Sequence, residues 1–132
     1  MAGEIDLDKL LASMSPELLD GEYVFCSFQG AQYGDLPELE PFASLIEAEG
    51  LTLVIPRPRA DKKGLGYDST YRGITLKVHS SLDAVGLTAA VAAKLTDYGI
   101  SANVIAGYFH DHLFVQSEQA RKAMTALGEL TR

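Results

Sequence analysis

The order in which the hydrophobic period changes between residues 73 and 128 constrains the fold of this chain more than any other feature. "ITLKVH" is rich in β-branched residues and reads as a strand. "DAVGLTAAVAAKLTDYG" is helical: Leu87, Val91 and Leu95 recur every four residues, and Gly99 supplies a stop. "ISANVIAG" and "YFHDHLFVQ" return to strand patterning, with a tight turn expected at Ala106–Gly107. "SEQARKAMTALGEL" closes with a helix, Ser117 as its cap and Ala120, Met124 and Leu127 on one face. A strand–helix–strand crossover is right-handed, which leaves few topologies. One more strand would complete a split βαββαβ sheet with helices on one face, the ferredoxin-like arrangement. No such strand follows the last helix, so the first half or a partner chain must supply it.

The first half is less regular. Ile5, Leu7, Leu10, Leu11 and Met14 have helical spacing, Pro16 punctuates them and Gly21 ends the segment. "EYVFCSF" reads as a strand and "QGAQYGDLPEL" as a loop. "EPFASLIEAEG" is expected to form a short helix, with Phe42, Leu45 and Ile46 on one face and Gly50 as its stop. "LTLVIP" alternates, with Leu51, Leu53 and Ile55 on one side. "RPRADKKGLGYDSTYRG" reads as a connector with a turn of helix at "ADKKG". "SLIEAEGLTLVI" and "AKLTDYGISANVI" form a faint repeat, Gly50 aligning with Gly99, which points to duplication. The expectation is an α+β chain of two units, an abbreviated one over 1–66 and a complete one over 67–132.

Charge and composition exclude several functions. At a net charge of −7, the chain is unsuited to nucleic acid or to an anionic membrane surface. A single cysteine, Cys26 in an apolar strand, allows neither an internal disulfide nor a cysteine zinc site. The acidic start lacks the apolar core of a signal peptide, and no apolar run approaches the roughly 20 residues of a membrane span. A cytoplasmic location is expected. There is no nucleophile elbow and no phosphate loop; the G-x-G of "GLGY" lacks the third glycine and the helix of a dinucleotide site. His110 and His112 would share one face of a strand and can take a metal only with further ligands, His79 being one candidate. The acidic residues are scattered, so no catalytic pair stands out. An enzyme is not expected, and no cofactor is implied.

"HSSLDAVGL" places small and polar residues where the clearest helix begins, near Val85 or Gly86. The first N–H groups of a helix lack internal partners and carry the positive end of its dipole, so they suit a carboxylate or phosphate. Gly86 lets a ligand approach the backbone, and Asp83 can accept from an ammonium group. One small site can thus hold both ends of an α-amino acid. The alternative is structural: Ser81 or Asp83 caps the helix, Gly86 packs against the sheet, and the chain is an interaction module without a ligand.

These residues resemble the ACT domain, a small regulatory module that binds amino acids. The resemblance covers residues 73 to about 128 and rests on "ITLKVH", the D-x-x-G-L turn, the helix ending in Gly-Ile and the aromatic strand ending in "DHLFV". The whole chain is similar to small bacterial proteins with two ACT-like units, and to the ACT pairs of aspartate kinases and of the cytosolic arginine sensor. The resemblance implies a ligand between the turn Ser81, Leu82, Asp83, Ala84, Val85, Gly86 and Leu87 and the strand Ser101, Ala102, Asn103 and Val104 of a neighbouring unit. Thr52, Leu53 and Val54 would offer adjacent-unit contacts. It further implies a non-enzymatic sensor of a small amino acid, a homodimer, and a protein that reads the bound state.

Overall fold

The structure, a computed structural model, describes residue 3, residues 5–79 and residues 82–131. The chain divides into two compact units that cross the linear halves: Met1–Asp20 with Arg72–Arg132, and Gly21–Tyr71. The first is discontinuous in sequence and the second is continuous.

The discontinuous unit contains α1 (Leu7–Ala12), β1 (Pro16–Leu18), β5 (Tyr71–Leu76, from Arg72 onward), α3 (Leu87–Asp97), β6 (Asn103–Ala106), β7 (Asp111–Gln116) and α4 (Ala120–Leu130). Its strand order is β1-β5-β7-β6. β1 pairs antiparallel with β5, Pro16 opposite Leu76 and Leu18 opposite Ile74. The strand missing after the last helix is therefore three residues from the N-terminal segment, "PEL", which lie within the segment expected to be helical up to Gly21. β7 neighbours β5 and forms a hairpin with β6, Asn103 opposite Phe114 and Ala106 opposite Asp111. The pairing of Ala106 with Asp111 moves the turn from the expected Ala106–Gly107 to residues 107–110.

The core of this unit follows from the two periodicities. Ile74 and Leu76 of β5 and Leu113 and Val115 of β7 point to one face. Against them pack Leu10, Leu87, Val91, Leu95, Ala123, Ala126 and Leu127 from the helices and Met14 from the segment after α1, all at 3% exposure or less, so the helices lie on one face as expected. Gly99, in the left-handed region at φ 72°, ends α3. Its N–H donates to Thr96 O, and Ile100 N–H donates to Leu95 O, the paired bonds of a Schellman stop. Ser117 does not cap the last helix. It opens a 3-10 turn, and α4 carries no side-chain cap hydrogen bond.

The continuous unit contains β2 (Tyr23–Phe28), β3 (Ala43–Glu47), β4 (Gly50–Pro56) and α2 (Arg57–Lys62), with strand order β3-β4-β2. Val24, Cys26, Leu51, Leu53 and Ile55 face a core closed by Leu39 and Ala60. Residues 43–47 overturn the expected helix. They pair antiparallel with β4, from Ala43 opposite Val54 to Glu47 opposite Gly50, around a two-residue turn. The helical reading rested on Phe42, Leu45 and Ile46, yet Leu45 and Ile46 are exposed. A short isolated helix is marginal in water, whereas the hairpin satisfies the backbone against a strand already present. Gly50 therefore opens β4 instead of stopping a helix, and a Cβ there would meet Phe28 O at 2.9 Å.

The Gly50–Gly99 repeat is thus not a structural equivalence: one glycine follows a strand and a tight turn, the other a helix. The connector also holds more structure than expected. α2 ends in the same stop as α3, with Gly64 N–H donating to Asp61 O and Leu65 N–H to Ala60 O. Among the described residues, no helix is long and apolar enough to cross a membrane.

Candidate functional site

β5 delivers the chain to the turn that opens α3. α3 begins at Leu87, one residue later than the sequence suggests, and its N-cap is Gly86 at φ 102°, ψ −19°. The N-cap Gly86 has no side chain, and no side-chain cap hydrogen bond is made at that position. Ser81 lies outside the described residues. Leu82 and Val85 are exposed at 63% and 83%, Asp83 is exposed, and Ala84 is half-buried. Leu87 is buried and anchors the first turn, while Ala90 N–H donates to Gly86 O at 2.8 Å.

Gly86 has a structural neighbour. A Cβ on it would lie 3.1 Å from Leu7 Cδ2, so a leucine of α1 rests against the tip of α3. The absence of a side chain at position 86 serves this packing first.

The second set of expected residues follows the far end of α3. Ser101 and Asn103 are exposed, Ala102 and Val104 half-buried. The amide of Asn103 donates to Phe114 O at 3.2 Å, which ties it to β7. An 11-residue helix, about 16 Å long, separates Leu87 from these positions along the chain. Within one unit, then, the turn and residues 101–104 sit at opposite ends of α3. A ligand touching both needs a second unit. Thr52, Leu53 and Val54 lie on β4 of the continuous unit, with Leu53 in its core.

Residues 107–110 of the β6–β7 turn gather at Val78 and His79, where the chain leaves β5. His110 Nδ1 lies 3.1 Å from Val78 O; a carbonyl only accepts, so Nδ1 carries the proton. His79 packs against Phe109, ring centroids 5.0 Å apart, and Phe109 meets Tyr108 edge-on at 5.1 Å. Tyr108 and Phe109 are more than half exposed. The alternation of "YFHDHLFVQ" suggests a strand throughout, whereas its first three residues belong to the hairpin turn.

His110 and His112 do not share a strand face, because His110 lies in the turn and only His112 is in β7. His112 Nδ1 meets Thr75 Oγ1 at 2.9 Å. Burial, and then the neighbouring His110 charge, hold His112 below the usual imidazole range, against the opposing pull of Asp111. Burial pushes the Asp111 carboxyl up, while both histidines pull it down. Among the described residues, no group of three His, Cys, Asp or Glu side chains is placed to hold a metal ion. Burial also pushes the Cys26 thiol up, away from the reactive thiolate.

Two family models, each described as "ACT domain", match the chain in tandem, one over residues 2–72 and the other over residues 68–129. No curated protein matches the sequence. Among solved structures, a Vibrio cholerae protein of unknown function, described as a possible transport protein, is 56% identical. Each chain is covered to 96%, with a TM-score of 0.87. The regulatory subunit of aspartate kinase from Thermus thermophilus, in its ligand-free form, superposes with a TM-score of 0.64 at 10% identity, over 92% of this chain and 99% of that one. The aspartate kinase of Clostridium acetobutylicum, an allosteric enzyme, gives 0.64 at 11% identity, over 98% of this chain but 36% of its own. At these low identities the likeness is one of fold.

Proposed function

The chain belongs to the ACT-domain family, and from that premise we propose that it is a non-enzymatic regulatory or sensor protein that binds a small molecule, an amino acid being the expected class. The observation that carries this reading is the pair of ACT-domain matches that together span residues 2–129. In this reading the repeats are the linear halves, 1–66 and 67–132. The ligand's carboxylate meets backbone N–H groups where the turn of residues 81–87 opens α3. Residues 101–104 of a neighbouring unit close the site. Because the two sets stand at opposite ends of α3, the reading requires a homodimer. The ligand stabilises one arrangement of units, and a partner protein reads that arrangement in the cytoplasm.

A melting-temperature panel of the common amino acids tests this. A ligand at a hundred times its dissociation constant stabilises the fold by about 2.7 kcal/mol. Asp83→Ala is expected to abolish the shift, measured against that variant's own unliganded melting temperature. A shift that survives Asp83→Ala would place the ligand elsewhere.

A second reading has its own support. Leu7 rests on Gly86, Leu82 and Val85 expose apolar surface in the turn, and Tyr108 and Phe109 expose more beside His79. That combination suits a protein-interaction module without a ligand, and it predicts no shift with any amino acid.

A further inference from the structure

We propose that the cavity bounded by Leu18 of β1, Arg72 of β5 and the opening of α4 binds a small organic monocarboxylate with an apolar body. This site is separate from the α3 turn and goes beyond the reading above. The cavity is about 400 Å³, within the usual range for small-ligand pockets of roughly 300–1,000 Å³.

Its chemistry is unusual for this chain. Arg72 and Arg121 both line it, and among the described residues neither has an ion-pair partner. The chain carries 18 acidic residues against 11 basic ones, so carboxylates are plentiful and two unpaired arginines at one cavity are a departure. Arg72 is anchored: Nη2 donates to Leu19 O at 2.9 Å. Its Nε is sealed from water without a hydrogen-bond partner, and so is Ser117 Oγ. Buried donors left unmet are costly, and a donor of a charged group more so. Both atoms are closed to solvent as they stand, so a carboxylate seated against the guanidinium gives them an acceptor only as the Arg72 and Ser117 side chains turn toward the cavity.

The walls select the ligand further. Two arginines and Glu118 give the cavity a charge of +1, which matches a monoanion better than a phosphate dianion. Leu18 and Met124 supply apolar surface beside the charge. A carboxylate on a short branched hydrocarbon satisfies both. Sequence spacing gave no hint of this site, because its residues come from positions 18, 72 and 117–124 and meet only when β1 pairs with β5.

The test is calorimetric titration of the intact chain with 3-methylbutanoate and, separately, inorganic phosphate, at constant ionic strength against chloride. Saturable one-site binding of 3-methylbutanoate, at least tenfold tighter than phosphate, is the expected result. Arg121→Gln weakens it at least tenfold and Ser117→Ala at least threefold, while Asp83→Ala leaves it unchanged. Melting curves confirm that each variant folds; if Arg121→Gln does not, Arg121→Lys, which keeps the charge but loses the planar fork, should weaken binding. The proposal is overturned if 3-methylbutanoate shows no saturable heat, if phosphate binds as well, or if the folded arginine variant binds like the wild type. Loss of binding on Asp83→Ala would assign the ligand to the α3 turn instead.

Discussion

Alanine at position 86 tests what holds the tip of α3. Gly86 sits at φ 102°, beyond even the small left-handed region open to residues with a Cβ. Left-handed geometry costs an L-residue about 1–2 kcal/mol, and this angle argues for the upper end. The new methyl would also lie 3.1 Å from Leu7 Cδ2, a contact that leucine relieves by shifting a few tenths of an ångström. That adds on the order of 0.5–1 kcal/mol, the low end of overpacking. Gly86→Ala is therefore expected to destabilise by about 2–3 kcal/mol, with the steric part removed in a Leu7→Ala background. Leu7 is only partly buried, so Leu7→Ala alone should cost about 1–2 kcal/mol, less than a fully buried leucine. Urea unfolding of the wild type, both single variants and the double variant gives the coupling directly. The double variant should be less destabilised than the sum of the singles by roughly 0.5–1 kcal/mol. Strict additivity would mean that Leu7 does not rest on Gly86. A near-neutral Gly86→Ala would refute the backbone argument as well. Substitutions at Gly86 thus perturb folding and are unsuited to probing a ligand.

Three further outcomes are expected. His112 titrates below its ordinary value in the fold, so the unfolded chain binds the extra proton just below pH ~6.5 and stability falls as pH drops through that window; His112→Asn, which keeps a partner for Thr75, should flatten that slope in urea midpoints measured from pH 7.5 to 5. Asp111 acts oppositely, because its raised folded value means stability declines as pH rises just above its ordinary ~3.9, and Asp111→Asn should remove that decline. Phe114 is fully buried and a Cβ on Gly73 would touch its ring, so Phe114→Ala should cost about 3–5 kcal/mol whereas the exposed Ile46→Ala should stay within ~0.5 kcal/mol by urea unfolding.

The family and much of the second half were legible because their signals are local. Leu87, Val91 and Leu95 define a buried stripe whatever surrounds them, and Gly99 stops the helix through its own φ. The strands 23–28 and 50–56 alternate strongly enough to need no partner for their identification. The D-x-x-G-L turn was also legible as a place, although the sequence could not show that Gly86 lies under Leu7.

What the sequence determined alone was the set of segments able to bury one face, together with the ACT-like order in which the second half presents them. Tertiary structure decided the fate of segments too short to choose for themselves. "PEL" at 16–18 became a strand because β5 had an edge to satisfy, and "ASLIE" at 43–47 became a strand because β4 did. A short segment's own propensity is worth little against the hydrogen bonds and entropy set by a neighbouring strand. That information lies in a neighbour distant along the chain, in β1's case sixty residues away, from Pro16 to Leu76.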